Sequence, residues 1–501
     1  MDGLPVIGRV FASVFLLLFA FNSQGAAITF APTSLFMASG ATQKVEVAGV
    51  QEGRFSVGGF NSEIVTAVAA GKTIVVTAKK RGDTVVFAVD DKGTMAGVMV
   101  KVVEPAADIP ISLKCDIAGR PASPEFIREA VVEIIDHVVK LRAGAQLTVL
   151  DNKIEGLQSL APGQASVLSV PVTATGNGWA GIKQNVLVAV SNPPLTYKED
   201  DFVLMSNNPE IITGPGVLFR ETIQKGESAR LVYHHMNEPD GSPRVIETVV
   251  RNETNGALRL FISRGLGGPS KDSLFAGHIA NRRFLAQMLT QSGWVVTLKP
   301  GEEYAVASQK MTKGEDSITG IMKLWVLDGA SAVVEVRAMD DVAGSLIGSP
   351  STLLVPSDGV NGHVRGVFEP ANVSVNLSCD MTSTPLIFNL GVEPFIYDRA
   401  HEIRMIGNYG VVHDFSVYFH NASDKTKEVS LYCIPSGGLA RGIFWTGQDV
   451  EETGVLDPHG EDMVKVKSIT LEAGQAKKWE FSTIPQAGSS YPIRLLFKTT
   501  S

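Results

Sequence analysis

The adjacent histidines His234 and His235 are the most concentrated group of side chains that could ligate a metal ion. The surrounding residues predict a strand, on which neighbouring side chains point to opposite faces, so only one ring could join a shared site. A further ligand, such as His278 or Asp272, would have to come from the segment that follows. His234, His235 and His278 are the candidate metal ligands; the alternative is one buried, hydrogen-bonded histidine and one exposed.

Adjacent carboxylates form a second group with possible chemistry. A glycosidase needs two facing carboxyls about 5 to 10 Å apart, one of them buried, whereas neighbours on a strand diverge. We therefore expect solvated charge at each pair, and the sequence also lacks the GxSxG, GxxxxGK[ST], HExxH and EF-hand patterns. No catalytic residue and no cofactor is predicted. The pairs are Asp200-Asp201, Glu302-Glu303, Asp340-Asp341 and Glu451-Glu452.

Aromatic residues and cysteines supply the remaining candidates. Phe444 and Trp445 lie in an irregular stretch and could form a stacking platform for a sugar or a peptide, the alternative being core packing. Cys379 and Cys433 belong to one predicted domain and could form a disulfide in an oxidising compartment, which leaves Cys115 unpaired.

Composition limits the classes of protein that fit. The 501 residues suffice for several domains, and 44% hydrophobic with 19% charged residues is typical of a folded chain. A formal net charge of -8 argues against nucleic acid as a partner. Three cysteines cannot build a disulfide framework, so stability must come from packed cores.

The first 25 residues resemble a secretory signal peptide. Arg9 precedes an apolar run over 10–21, and small residues follow at Ser23 and Gly25. The run is too short for a permanent span of a roughly 30 Å hydrocarbon core, and no later stretch predicts one after cleavage. We expect an extracytoplasmic protein, either periplasmic or secreted to the cell surface; an uncleaved anchor is the alternative.

Residues 28–104 predict a β-sandwich of short strands separated by glycine turns. The order Asn61-Ser62-Glu63-Ile64-Val65, Gly71 to Val76, Gly82 to Phe87 and Asp90-Asp91-Lys92-Gly93 carries a family resemblance. It resembles bacterial Ig-like domains and the amino-terminal domain of pilus-type secretins. The resemblance covers this segment alone and implies a module of the cell envelope, with no activity attached.

The rest of the chain predicts three further domains, so the fold class is mainly β and multidomain. Residues 111–194 predict a small α+β domain, whose helix begins at Ser123-Pro124-Glu125 and ends before Gly144. Residues 196–348 predict a β-sandwich with a helical insertion, and residues 352–501 predict another β-sandwich.

The predicted function follows from this architecture. We expect a non-catalytic envelope protein with a structural, adhesive or assembly role, in which segments 264–293 and 436–458 are insertions that contact envelope or surface proteins. A pilus-associated role would fit the resemblance. The alternatives are a carbohydrate-binding surface protein, whose partner would be polysaccharide, and an uncharacterised hydrolase.

Overall fold

The computed structural model describes residues 27–50, 54–342, 345–346, 353–360, 362–381, 384–459 and 463–500. The predicted signal peptide and the predicted domain limit at 348–352 lie outside these residues. The described chain is mainly β, with several β-domains and two α-helices, which confirms the predicted class. Neither helix is long and apolar enough to span a membrane.

The residues group into two compact units, which are described separately. The first takes residues from 1–111, 135–153 and 170–186; the second takes residues from 112–134, 154–169 and 187–501. The limits of the individual domains predicted from sequence stay predictions.

Residues 28–103 of the first unit form two four-stranded sheets that share one core. The sheet orders are β1-β3-β6-β5 and β2-β8-β7-β4, and β2 runs parallel to β8. Alternating residues such as Val45 and Val47 on β3 and Val98 and Val100 on β8 are buried in this core. The eight strands are β1 (Thr29–Ala31), β2 (Ser34–Ala38), β3 (Thr42–Ala48), β4 (Phe55–Gly58), β5 (Val65–Ala70), β6 (Thr73–Ala78), β7 (Gly82–Asp90) and β8 (Met95–Val103). A short strand, β9 (Ala107–Asp108), follows outside these two sheets.

The next segment contains the first helix, α1. The Ser123 hydroxyl accepts a hydrogen bond from the Phe126 N–H, so the predicted cap is present. The helix ends at Val138, before the predicted limit at Gly144, because Lys140–Leu141 pair with β9 as a short strand. The elements are β10 (Ser112–Ala118), α1 (Pro124–Val138), β11 (Lys140–Leu141), β12 (Ala145–Val149), a 3-10 turn (Asp151–Lys153), β13 (Ala165–Gly176) and β14 (Ile182–Ser191).

The second unit is built on one long sheet. Its strand order is β14-β10-β21-β20-β23-β18-β15, and three strands from residues 365–405 continue it beyond β15. Strand β10 from the predicted α+β domain therefore pairs directly with β21. A second sheet of order β17-β24-β19-β22 packs on β15, β18 and β23 through a common core. The elements are β15 (Phe202–Ser206), β16 (Ile211–Ile212), β17 (Gly216–Gln224), β18 (Ser228–Asn237), β19 (Arg244–Arg251), β20 (Leu258–Ser270), α2 (Ser273–Thr290), β21 (Gly293–Leu298), β22 (Glu303–Met311), β23 (Ser317–Asp328), β24 (Ser331–Val342) and β25 (Ser345–Leu346).

The carboxy-terminal strands of the second unit form another sandwich. Sheets β27-β31-β36-β33-β34 and β28-β37-β32-β35 enclose a core rich in aromatic rings, among which Phe415 and Phe481 are stacked. The elements are β26 (Arg365–Glu369), β27 (Asn372–Asp380), β28 (Leu386–Leu390), β29 (Ile396–Asp398), β30 (Arg404–Met405), β31 (Val412–His420), β32 (Lys427–Pro435), β33 (Ile443–Thr446), β34 (Asp449–Glu452), β35 (Val464–Leu471), β36 (Ala476–Thr483) and β37 (Ile493–Thr500).

Candidate functional site

Helix α2 lies flat against β20 and β23 because glycines remove the side chains between them. A Cβ atom at Gly265 or Gly267 would overlap carbonyl oxygens of the helix, and one at Gly277 would overlap the carbonyl oxygen of Ala487. Segment 264–293 is predicted as an insertion, but β20 continues through its glycines to Ser270 with a bulge. Segment 264–293 is therefore part of the packed framework, with Phe284 in its core, and does not project as an insertion.

A cavity of about 320 Å³ lies within the second unit, where the start of α2 meets β15, β18 and three loops of the carboxy-terminal half. Its wall combines hydroxyl, imidazole and carboxylate groups with several apolar side chains. The lining residues that matter below are Met205, Glu210, His234, Ser273, His363, Val364, Ile406, Tyr409, Ser489 and Ser490.

His234 is an almost fully enclosed polar residue of this wall. It is 4% exposed, and its Nδ1 is hydrogen-bonded to the Thr319 hydroxyl on β23 at 2.7 Å. Burial, with a contribution from nearby His363, lowers the pKa of His234 from 6.5 to about 4. The ring is therefore neutral at physiological pH, and neutral imidazole offers one hydrogen-bond donor and one acceptor.

A second histidine of the wall is held between two carboxylates. His363 Nδ1 lies 2.9 Å from Asp358 Oδ2, and its Nε2 lies 2.7 Å from Glu210 Oε2. Burial and the nearby Asp358 raise the pKa of Glu210, and His363 partly offsets them. Both imidazole nitrogens of His363 are bonded to carboxylates. The three side chains therefore hold one another in place, and no ring nitrogen of His363 is free for proton transfer.

The two other histidine candidates lie in separate places. His235 donates from Nδ1 to the Pro209 carbonyl at 3.0 Å, and its Nε2 is 3.1 Å from the Ser206 hydroxyl. His278 on α2 contacts Gln486 Oε1 at 3.0 Å and Glu452 Oε2 at 2.8 Å. The described part of the chain contains no group of three or more His, Cys, Asp or Glu residues arranged to hold a metal ion.

The aromatic pair from segment 436–458 is buried. Phe444 is 3% and Trp445 8% exposed, and both lie on β33 and pack into hydrophobic cores. A ring enclosed by core residues has no free face for a sugar or peptide, so this position argues against a stacking platform. The segment itself was expected to be irregular, but β33 and β34 form a hairpin within it.

The predicted Cys379–Cys433 disulfide is absent, since all three cysteines are free thiols. Cys379 lies on β27 and Cys433 on β32, in different sheets of the carboxy-terminal sandwich. Cys433 is fully enclosed, and burial raises the pKa of its thiol to about 12. Cys115 is also buried, and burial raises its pKa to about 12. Neither buried thiol has the properties of a nucleophile.

One expected solvated carboxylate is instead the centre of a buried ion cluster. Asp200 is 9% exposed and contacts Arg230 Nη2 at 2.8 Å and Lys323 Nζ at 2.6 Å. Burial acts to raise the pKa of Asp200, but the two cations outweigh it and hold this pKa below its ordinary value. Its neighbour Asp201 is half-exposed. Both residues lie just before β15, and Asp200 is enclosed in the protein interior while Asp201 is open to solvent.

Comparisons with known proteins give distant structural likenesses. No protein-family model matches the chain, and no curated protein matches it. The S-layer protein SbsC, domains 5-6, matches at 13% identity and a TM-score of 0.15, covering 32% of this chain and 96% of that one. Cadherin domains 3-6 of protocadherin gamma B2 match at 11% identity and a TM-score of 0.14, covering 34% and 52%.

A third match is a Bacteroides ovatus protein of a mixed-linkage glucan utilization locus, SGBP-B, solved with a mixed-linkage heptasaccharide. It shows 12% identity and a TM-score of 0.12, and covers 58% of this chain and 71% of that one. These are distant likenesses to Ig-like, cadherin-like, S-layer and glycan-binding β-domains. At such TM-scores they carry no argument about function, and the predicted resemblance to secretins stays a prediction.

Proposed function

We propose that the chain is an extracytoplasmic, non-catalytic protein that works structurally, in adhesion or assembly, through contacts with envelope or surface proteins. The observation that carries this proposal is the buried tie formed by Arg230. Its Nη1 donates to the carbonyl oxygens of Ala371 at 3.0 Å and Gly410 at 2.9 Å. Ala371 immediately precedes β27, and Gly410 lies two residues before β31; these strands are the parallel pair of the carboxy-terminal sandwich.

The tie fixes the position of one sandwich on the other. Arg230 also donates from Nη2 to Asn372 Oδ1 at 3.0 Å and pairs with Asp200. Five-donor guanidinium groups define geometry closely, and buried ion pairs serve fixed geometry better than they serve net stability. A core that joins Val203 and Val232 to Val412 surrounds the same region. A stiff pair of sandwiches suits a protein that spaces or presents surfaces.

The stiffness can be measured directly. Spin labels on exposed positions of the two sandwiches, Gln224→Cys on β17 and Tyr418→Cys on β31, report one inter-sandwich distance by double electron–electron resonance. We expect a narrow distribution that broadens in Arg230→Met and stays narrow in Arg220→Met, whose charge pairs at the surface. A broad distribution in the unaltered framework would contradict a spacer role.

The partner class needs a second experiment. A photo-crosslinking amino acid at exposed Tyr418 or Ile387 in the carboxy-terminal sandwich, and at exposed Phe36 in the first unit, samples three surfaces in the native cells. Recovery of the same envelope or surface protein from repeated experiments at one of the three positions supports assembly. If no position captures a protein, the proposed role through protein contacts is wrong.

A further inference from the structure

We propose that the cavity lined by His234, Tyr409 and Ser490 binds a neutral, hydroxyl-rich ligand of the size of one sugar ring. This binding site goes beyond the proposed structural role and does not depend on it. The cavity volume of about 320 Å³ lies at the lower end of the range for small-molecule sites, which begins at roughly 300 Å³. One ring is accommodated, whereas an extended oligosaccharide would have to continue outside.

The wall matches such a ligand on two sides. The hydroxyl-bearing residues Ser273, Ser490 and Tyr409 line it together with Met205 and Ile406, and the Ser273 hydroxyl also contacts the Ser317 hydroxyl at 2.7 Å. A sugar ring presents hydroxyls at its edge and C–H groups on its faces, so it needs both kinds of surface. The Tyr409 hydroxyl donates to the Ser489 carbonyl at 2.9 Å, which leaves its oxygen lone pairs as acceptors.

His234 supplies the second, independent observation. Its side chain is almost entirely enclosed, its Nδ1 is held by Thr319, and no partner for its Nε2 occurs among the described residues. A ring nitrogen that is not bonded to the protein keeps its hydrogen-bonding capacity for a ligand or a water molecule. Because the ring lines the cavity, Nε2 is the atom available to a ligand hydroxyl.

The charges of the wall select a neutral ligand. Glu210 and His363 line the cavity, and Asp358 holds the other nitrogen of His363, so an anion entering the cavity would meet the Glu210 carboxylate beside the imidazole. A cation would find the nearer carboxylate, Glu210, already bonded to His363 at 2.7 Å. Hydroxyl groups need no charge compensation and can bond to serine, tyrosine and neutral imidazole.

The test uses saturation-transfer difference NMR on the full mature chain with five single sugars. The neutral probes are glucose, galactose and mannose; the charged probes are glucuronate and glucosamine. Ile406→Trp should fill the cavity from its rim, because Ile406 is 38% exposed and tolerates a larger side chain there. The matched control is Ile403→Trp, three residues away in the same segment, 41% exposed and outside the cavity wall.

A second variant keeps the buried bond to Thr319. In His234→Asn the amide nitrogen can replace Nδ1 toward Thr319, while the atom equivalent to Nε2 is removed. We expect saturation transfer to at least one neutral sugar, weakened several-fold or lost in Ile406→Trp and His234→Asn, and unchanged in Ile403→Trp. Thermal unfolding of each variant shows whether it is folded.

Three results would overturn the proposal. They are no transfer to any neutral sugar from the unaltered chain, transfer that persists at full strength in folded Ile406→Trp, and transfer to a charged sugar alone. If His234→Asn does not fold, the Ile406→Trp and Ile403→Trp pair decides alone. Protein crosslinking is read separately, so failure of sugar binding does not affect the structural role.

Discussion

Neutralising Asp200 should destabilise the second unit far more than neutralising its neighbour Asp201. Asp200→Asn keeps the side-chain shape but leaves the Arg230 and Lys323 cations without a counter-charge in an enclosed site. Removing one partner of a buried ion pair typically costs about 3 to 5 kcal/mol. The Ser228 hydroxyl, which donates to Asp200 Oδ1 at 2.9 Å, retains an acceptor in asparagine.

Asp201→Asn is the matched control because the two residues are adjacent and chemically identical. Asp201 pairs with Lys198 at 2.6 Å, but both side chains are more than a third exposed. Pairs exposed to this degree contribute about 0 to 1 kcal/mol, since water and salt screen them. The structure therefore predicts that Asp200→Asn lowers the free energy of unfolding by at least about 2 kcal/mol more than Asp201→Asn does.

Urea unfolding followed by tryptophan fluorescence measures this difference. Trp325 lies on β23, two residues from Lys323, and therefore reports on the affected strand. A combined variant, Asp200→Leu with Arg230→Met and Lys323→Met, should recover part of the loss, because no unpaired charge remains buried although the donors to the Ala371 and Gly410 carbonyls are also removed. The reasoning is refuted if Asp200→Asn and Asp201→Asn lose the same free energy of unfolding, or if the combined variant is less stable than Asp200→Asn.

Two further predictions concern packing and pH. Gly277→Ala should destabilise the chain by about 1 to 3 kcal/mol, although alanine favours helices, because its Cβ would overlap the Ala487 carbonyl; Gly214→Ala, in open space, should change stability by less than about 0.5 kcal/mol. Equal effects in thermal unfolding would contradict the tight contact. Burial lowers the pKa of His235 from 6.5 to about 3, so the unfolded chain binds this proton more readily, and stability is full above about pH 6.5 and falls as the pH drops toward 3, by at most about 5 kcal/mol. Unfolding at several pH values should show this loss reduced in His235→Asn and unchanged in His420→Asn, an exposed control.

The mainly β class could be predicted because many strands are buried on one face only. On β3 the buried Val45 and Val47 alternate with exposed residues, which is the pattern that sequence reasoning detects. Strand β15, by contrast, is buried at all five positions, so its sequence does not alternate between apolar and polar residues and does not show which side chains face which neighbour. The prediction that segment 264–293 is an insertion was wrong for a related reason. A glycine that permits a helix to touch a strand looks, in sequence, like one that ends the strand.

The cavity could not be predicted because its groups come from distant parts of the chain. Glu210 follows β15, and His363 precedes β26. These two strands pair side by side in the sheet, which brings the two residues within hydrogen-bond distance. His234 was a candidate because His235 is next to it in sequence, but His235 is bonded to Pro209 and Ser206 and does not line the cavity. The signal that sequence offered was the type of residue, and the information that it lacked was which strands are adjacent.

Strand β18 shows how one element positions both the ion cluster and the cavity. Arg230, Val232 and His234 alternate along it and face the carboxy-terminal half, whereas Leu231 and Tyr233 enter the core shared with the second sheet. A shift of this strand by one residue would move the Arg230 guanidinium into that apolar core and exchange the two faces throughout. The unpaired charge would cost several kcal/mol in addition to the packing that is lost when the apolar side chains change faces. Arg230 therefore specifies the register that brings His234 to the cavity wall. The Asp200 cluster thus acts on the geometry of a site that lies four residues further along the same strand.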